Sequence, residues 1–143
     1  MKTATQNLSS GLEDYIEAIY LSNISKIPLK GAQLARKLNI SRASVSEALA
    51  KLVAKGLIKY NSYEAIDLTE KGIVEAKKVY AKHHALKDFF ETVLLIPSDE
   101  AGENACQIEH IVSETILKRM KKLTKLVKTQ DEISNRIKEE ILV

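Results

Sequence analysis

Cys106, Glu109 and His110 bring a thiol, a carboxyl and an imidazole into the short stretch Ala105-Cys-Gln-Ile-Glu-His-Ile-Val-Ser113. On a helix they stand at i, i+3 and i+4, so all three project from one side. Three kinds of metal ligand on one face are half a coordination shell. Ile108, Ile111 and Val112 fall on the other side, toward a core. The same spacing fits an amphipathic helix whose polar face carries these residues by chance, and further ligands from elsewhere in the chain decide between the two. A nucleophile with its base and orienting group is a third arrangement these types allow. No glycine-rich cradle or oxyanion element accompanies them, which argues against an enzyme.

The chain that must position them has 143 residues, with five Gly and two Pro among abundant Ala, Leu, Ile, Lys and Glu, a composition that favours helix. That length makes one large domain or two small ones, with a core that needs no disulfide. A single cysteine cannot form an internal bridge. No apolar run approaches the roughly 20 residues of a membrane span or the pattern of a secretory signal. The expectation is a protein of the reducing cytoplasm with no membrane partner. The net charge of +3 is modest, but its distribution is not even. Lys26, Lys30, Arg36, Lys37, Arg42, Lys51, Lys55 and Lys59 are opposed in their segment only by Glu47, so a polyanion would find this segment first.

Taken in order, Ser10-Gly-Leu-Glu13 reads as a capping box. Leu12, Tyr15, Ile16, Ile19 and Tyr20 then recur at helical spacing, predicting a first helix over 12–22 with Asp14 and Glu17 on its polar side. After Pro28, residues 30–38 predict a short helix with Ala32, Leu34, Ala35 and Leu38 inward, and Asn39-Ile40 a tight turn. Ser41 caps a second helix that buries Val45, Ala48, Leu49 and Leu52 and stops at Lys55-Gly56. Two short helices about such a turn form a helix-turn-helix. Residues 57–60 and 65–68, turning at Asn61-Ser62, predict a hairpin wing, with Thr69 capping the next helix. In a winged helix the start of the second helix enters the major groove, so Ser41, Arg42, Ala43, Ser44 and Glu47 are candidates for base contact. Lys30, Lys51, Lys59, Tyr60 and Asn61 suit phosphates or the neighbouring minor groove.

A long helix is predicted over 70–92, with Val74, Val79, Tyr80, Leu86 and Phe90 as its apolar stripe. His83 lies on that stripe and His84 off it. A histidine on such a face is more often a satisfied core residue than a ligand. Residues 94–103, containing Pro97, Ser98 and Gly102, read as a loop. One helix should then run over 104–126, and a last helix, capped near Thr129 or Asp131, should carry Ile133, Ile137 and Ile141 toward a partner or the preceding helices. The fold class is mainly α: a winged-helix DNA-binding domain over 1–72 and a helical metal-binding and dimerisation domain over 73–143.

Several of these features together resemble one family. Glu13-Asp14-Tyr15-Ile16-Glu17-Ala18-Ile19-Tyr20, the winged helix, Lys82-His83 and Ala105-Cys106-Gln107-Ile108-Glu109-His110, in this order, are similar to the metal-dependent repressors of the DtxR/MntR type. The resemblance runs from Leu12 to about Leu126. It implies a homodimer that binds a palindromic operator and responds to a divalent metal. It also implies that Asp14, Glu17, His83, Cys106, Glu109 and His110 occupy ligand positions. Asp14 and Glu17 look like the manganese-sensing branch and Cys106 like the iron-sensing branch. The larger members carry a C-terminal SH3-like domain for which this chain is too short. Lys87 and Gly102 stand where the iron branch has an acid and a second histidine for an ancillary site, which favours one shared cluster.

A thiolate suits Fe(II), Zn(II) or Co(II) and paired carboxylates suit Mn(II), so the mixed set points to Fe(II) with Mn(II) close behind. Zinc, cobalt or nickel would also bind in vitro, because affinity rises along the Irving-Williams order. The alternative is a winged-helix regulator that senses an organic ligand or a redox change through Cys106.

Overall fold

A computed structural model describes residues 8–61 and 64–143. The chain divides into two compact units, Met1–Val79 and Tyr80–Val143. In order it forms α1 (Ser10–Ser25), α2 (Gly31–Leu38), α3 (Arg42–Ala54), β1 (Ile58–Lys59), β2 (Asp67–Leu68), α4 (Glu70–Thr92), α5 (Ser98–Ile108), α6 (Glu114–Thr129) and α7 (Asp131–Ile141). Helix α4 gives its first ten residues to the first unit and the remainder to the second.

The first unit is a winged helix-turn-helix. Its α1 begins one residue earlier than the capping box predicts: the Ser9 hydroxyl accepts from the Leu12 N–H at 3.3 Å, and Ser10 is already helical. Asn39, in left-handed conformation at φ 53°, closes α2 and turns the chain toward α3. Ser41 caps α3 by accepting from the Ser44 N–H at 3.1 Å. Val45, Ala48, Leu49 and Leu52 form the buried face of α3, and Gly56, at φ 70°, supplies the left-handed residue beyond its end. The wing is shorter than the hydrophobic pattern predicts, with Ile58 paired to Leu68 and Lys59 to Asp67, antiparallel. Ser62, expected in its turn, lies outside the described residues. Beside that turn the Asn61 amide donates to Glu64 Oε2 at 3.3 Å. Thr69 ties the base of the wing to α4: its hydroxyl donates to the Gly56 carbonyl at 2.6 Å and accepts from the Gly72 N–H at 3.0 Å. Leu12, Ile16 and Ile19 of α1 pack with Leu34, Leu49, Leu52, Leu57, Ile58, Ile66, Ala76 and Val79 in one core.

Val74, expected on the apolar stripe of α4, is 54% exposed. The inward line of that helix reaches the expected Val79 through Gly72 and Ala76 instead. Its small members are what hide it, since only large apolar residues mark a stripe in sequence.

The second unit packs the rest of α4 with α5, α6 and α7. Its small core contains Leu86, Ala105 and Leu117, with Ala85, Phe90, Ile108, Val112 and Met120 partly buried around them. Two expectations fail here. Residues 98–103 are not loop but the first half of α5, which starts after an extended Pro97 and places Asp99 and Glu100 in its first turn, where they favour the helix dipole. The helix expected over 104–126 is two: α5 ends at Ile108, and Ser113 starts α6 by accepting from the Ile116 N–H at 3.3 Å. The break swings Ile111 outward to 83% exposure, although its spacing points it at the core. Helix α7, preceded by Gln130 with no side-chain cap, leaves Ile133 and Ile137 half-buried and Ile141 exposed.

Candidate functional site

In the second unit α4 supplies His83 and the α5 end supplies Cys106, Glu109 and His110. Although α5 stops before Glu109, that residue keeps right-handed helical torsions (φ −54°, ψ −29°) and its N–H donates to the Ala105 carbonyl at 2.9 Å. The i, i+3, i+4 relation therefore survives the break, and the structure gathers these four side chains. Glu109 is fully buried. Its Oε2 lies 2.9 Å from His83 Nδ1, its Oε1 lies 3.6 Å from His110 Nε2, and Cys106 Sγ lies 3.7 Å from His83 Nδ1. Only Cys106 of the four is exposed, at an open hollow of about 680 Å³ that it lines with His83, Lys87, Ser98, Asp99, Gly102 and Glu103.

Glu109 Oε1 is buried without a hydrogen-bond donor. A buried carboxylate with one oxygen unsatisfied is costly and calls for a compensating positive charge. His110 lies beside that oxygen, His83 beside the other oxygen of the same carboxylate, and Cys106 beside His83, donor types that suit a divalent transition metal. Asp14 and Glu17 stand one turn apart on α1 in the first unit, Asp14 exposed and Glu17 buried.

The DNA-binding candidates divide by what already occupies them. Ser41 is engaged at the helix cap, where its hydroxyl also bonds the Ser44 hydroxyl at 2.8 Å. Arg42, Ala43, Ser44, Glu47 and Lys51 are exposed along α3, with Glu47 and Lys51 3.5 Å apart. Lys30, Lys59 and Asn61 are exposed, while Tyr60 is half-buried against the core. A cavity of about 400 Å³ brings Lys30, Arg42 and Tyr60 together with Ser46 and Glu64. Sequence reasoning misses Ser46, whose signal is its place one turn after Arg42 on the same face. Arg36, which the sequence marks only as a charge, lines a second hollow with Arg42 and Asn39.

A winged helix-turn-helix together with a thiol-carboxylate-imidazole cluster defines a metal-responsive DNA-binding regulator. Residues 7–66 match the iron dependent repressor N-terminal DNA binding domain, and residues 69–138 match the iron dependent repressor metal binding and dimerisation domain. The chain belongs to this family of metal-dependent transcriptional repressors. An uncharacterised HTH-type transcriptional regulator of Methanocaldococcus jannaschii is 42% identical over 115 residues, covering 80% of this chain and 92% of that one. The iron-dependent repressor IdeR of Mycobacterium tuberculosis is 31% identical over 112 residues, 78% of this chain, which spans about half (48%) of IdeR's length. Among solved structures, a manganese-dependent transcriptional repressor in complex with manganese superposes at a TM-score of 0.74 with 26% identity, covering 80% of this chain and 52% of that one. The manganese regulator SloR gives 0.70 with 31% identity over 80% of this chain and 53% of that one. No helix among the described residues is long and apolar enough to cross a membrane.

Proposed function

We propose that this chain is a cytoplasmic, homodimeric repressor of metal-ion homeostasis genes that binds a palindromic operator when loaded with Fe(II) or Mn(II), and that it catalyses no reaction. Residues 1–72 meet DNA and residues 73–143 hold metal and the partner subunit. The observation that carries this reading is buried Glu109, with one oxygen lacking a donor, His83 and His110 beside its carboxylate and Cys106 beside His83. Asp14 and Glu17 complete the ligand set, by their match to ligand positions in the family the chain resembles.

Bound there, the ion supplies the positive charge that the buried carboxylate lacks. Glu109 also holds His83 in place through the 2.9 Å contact. Ligands drawn from α1 and from the second unit are satisfied together in one arrangement, so binding favours that arrangement over all others. A dimer must present its two recognition helices to successive major grooves about 34–36 Å apart, so fixing the arrangement raises operator affinity. At each half-site Arg42, Ala43, Ser44 and Glu47 face base edges, and Lys30, Lys51, Lys59 and Asn61 face phosphates.

The test is operator binding by fluorescence anisotropy, titrated with Fe(II) under anaerobic conditions and with Mn(II), for wild type and His110→Ala. Metal should tighten wild-type binding and leave His110→Ala unchanged. Equally tight wild-type binding in chelator refutes the mechanism. Cys106→Glu should move the preference toward Mn(II), and an unmoved preference removes Cys106 as the selectivity determinant.

A further inference from the structure

Helix α6 has three faces. Leu117, Thr124 and Val127 are buried and Met120 is partly so. Ile116, Leu123 and Leu126 form an exposed apolar side, at 54%, 41% and 39%. Lys118, Lys121, Lys122, Lys125 and Lys128 fill the remaining arc, all exposed, while exposed Arg119 falls between Leu126 and Leu123 on the apolar side. The five lysines cover about 120° of the helix and about 15 Å of its length.

Six cations here oppose one acid, Glu114. Outside this helix the chain has sixteen basic residues against eighteen acidic ones, so its positive balance resides in α6. Among the described residues only Lys128 of these cations is ion-paired, to Asp88 at 2.6 Å. Lys118 with Lys122, and Lys121 with Lys125, are like-charge neighbours one turn apart, which weakens a helix in water. A surface that served solubility alone would intersperse both signs. Apart from Glu114 one turn before Lys118, and Asp88 and Glu91 of α4 beside Lys121 and Lys128, this arc is positive, and it is denser in charge than the segment ending at Lys59.

We infer that the lysine arc of α6 is a sequence-independent contact to the phosphates of double-stranded DNA, additional to the base contacts proposed for α3. The inference rests on the DNA-binding reading of the winged helix. Double-stranded DNA carries about one charge per 1.7 Å of axis, a density that a row of lysines about 15 Å long complements. Lysine is a point charge suited to phosphate, and the arc holds no Asn, Gln or paired Arg to read base edges. It also has no aromatic ring on which single-stranded bases would stack, which disfavours single strands as its partner.

The experiment measures the salt dependence of binding to operator and to random-sequence duplex. It uses full-length protein loaded with Mn(II) or Fe(II), as wild type, as a Lys118→Gln/Lys122→Gln/Lys125→Gln variant and as the same triple changed to Arg. Lys128 is left in place because it pairs with Asp88. The Gln triple should flatten the slope of log K against log salt by about 0.9 for each phosphate no longer neutralised. It should weaken both duplexes by the same factor, and the Arg triple should keep the wild-type slope. If wild type binds duplex and the Gln triple keeps its slope, this inference alone is overturned. The same slope with a weakened dimer in sedimentation also overturns it and assigns the lysines to the subunit interface. If metal-loaded wild type binds no duplex at all, the underlying reading falls and this inference with it.

Discussion

Among the described residues, seventeen buried apolar side chains form the core cluster of the first unit, whereas the second unit's cluster has three, Leu86, Ala105 and Leu117. The second unit also leaves Ile111, Ile116, Leu123, Leu126 and Ile141 exposed and buries Glu109 completely. A unit that spends its deepest position on a carboxylate and its helix faces on solvent-exposed isoleucine and leucine draws stability from what binds it. The first unit is a reading head whose shape is set by its own packing. The contrast predicts that the second unit gains stability from what binds it.

The comparison breaks most readily at Gly72. A Cβ there would lie 1.9 Å from the Leu57 carbonyl oxygen, a backbone atom that cannot swing aside. Gly72→Ala should destabilise the first unit beyond the ~1–3 kcal/mol of ordinary overpacking. Thermal unfolding followed by circular dichroism should show the loss with and without metal. A wild-type melt for this variant would mean that the first unit tolerates rearrangement and is not the fixed half.

Glu109→Gln sharpens the other side. It keeps the shape and removes the charge, so the variant should lose most of the ~3–4 kcal/mol that metal in roughly 100- to 1,000-fold excess over Kd adds to wild type. Differential scanning calorimetry with and without Mn(II) reads this directly, and an equal metal-induced rise in Tm in both proteins would clear Glu109 of any role. Next in size is the exposed side of α6. Ile116→Lys with Leu123→Lys should raise the dimer dissociation constant, with about 1.5–3 kcal/mol at stake for each side chain fully buried there. A sedimentation profile identical to wild type would place the subunit interface elsewhere.

How far the sequence shows these two halves depends on the range of the forces involved. Helix α3 is legible end to end, because Ser41, Gly56 and the row Val45, Ala48, Leu49 and Leu52 act within a turn or two of themselves. The bounds of α4 and the gathering of His83 with Cys106, Glu109 and His110 are legible too, the first from Thr69 and the second from spacing and resemblance. The start of α5 is hidden by Pro97, Ser98 and Gly102, whose composition reads as loop. Here Pro97 instead sets the extended residue before the helix, and a Cβ at Gly102 would meet the Lys87 chain at 3.7 Å, ordinary van der Waals contact. The break at Ser113 is masked because Ile111 and Val112 continue an apolar rhythm straight through it. Gly72 cannot be read from sequence at all, since its importance comes from a carbonyl fifteen residues away.

The smallest effect tests whether the second unit depends on few bonds. Lys128 of α6 donates to Asp88 Oδ2 of α4 at 2.6 Å, and Thr92 donates to Oδ1 at 3.0 Å. Burial pushes the Asp88 carboxyl up, but the Lys128 and Thr92 hydrogen bonds, the ammonium charge and His84 outweigh it and hold it below its ordinary value. A carboxyl lowered in the folded state contributes stability that is present above its unfolded value, about 4, and is lost as pH falls through the folded value. Both partners are about half exposed, at 51% and 43%, so water screens the pair and the contribution is at most about 1 kcal/mol. Asp88→Asn should therefore cost that much at neutral pH and nothing at low pH, bringing the two unfolding curves together below about pH 4. If the mutant and wild type keep a constant separation down to about pH 2, well below the ordinary carboxyl range, the bridge adds nothing through its charge, and the thin core of the second unit must be held by its apolar contacts alone.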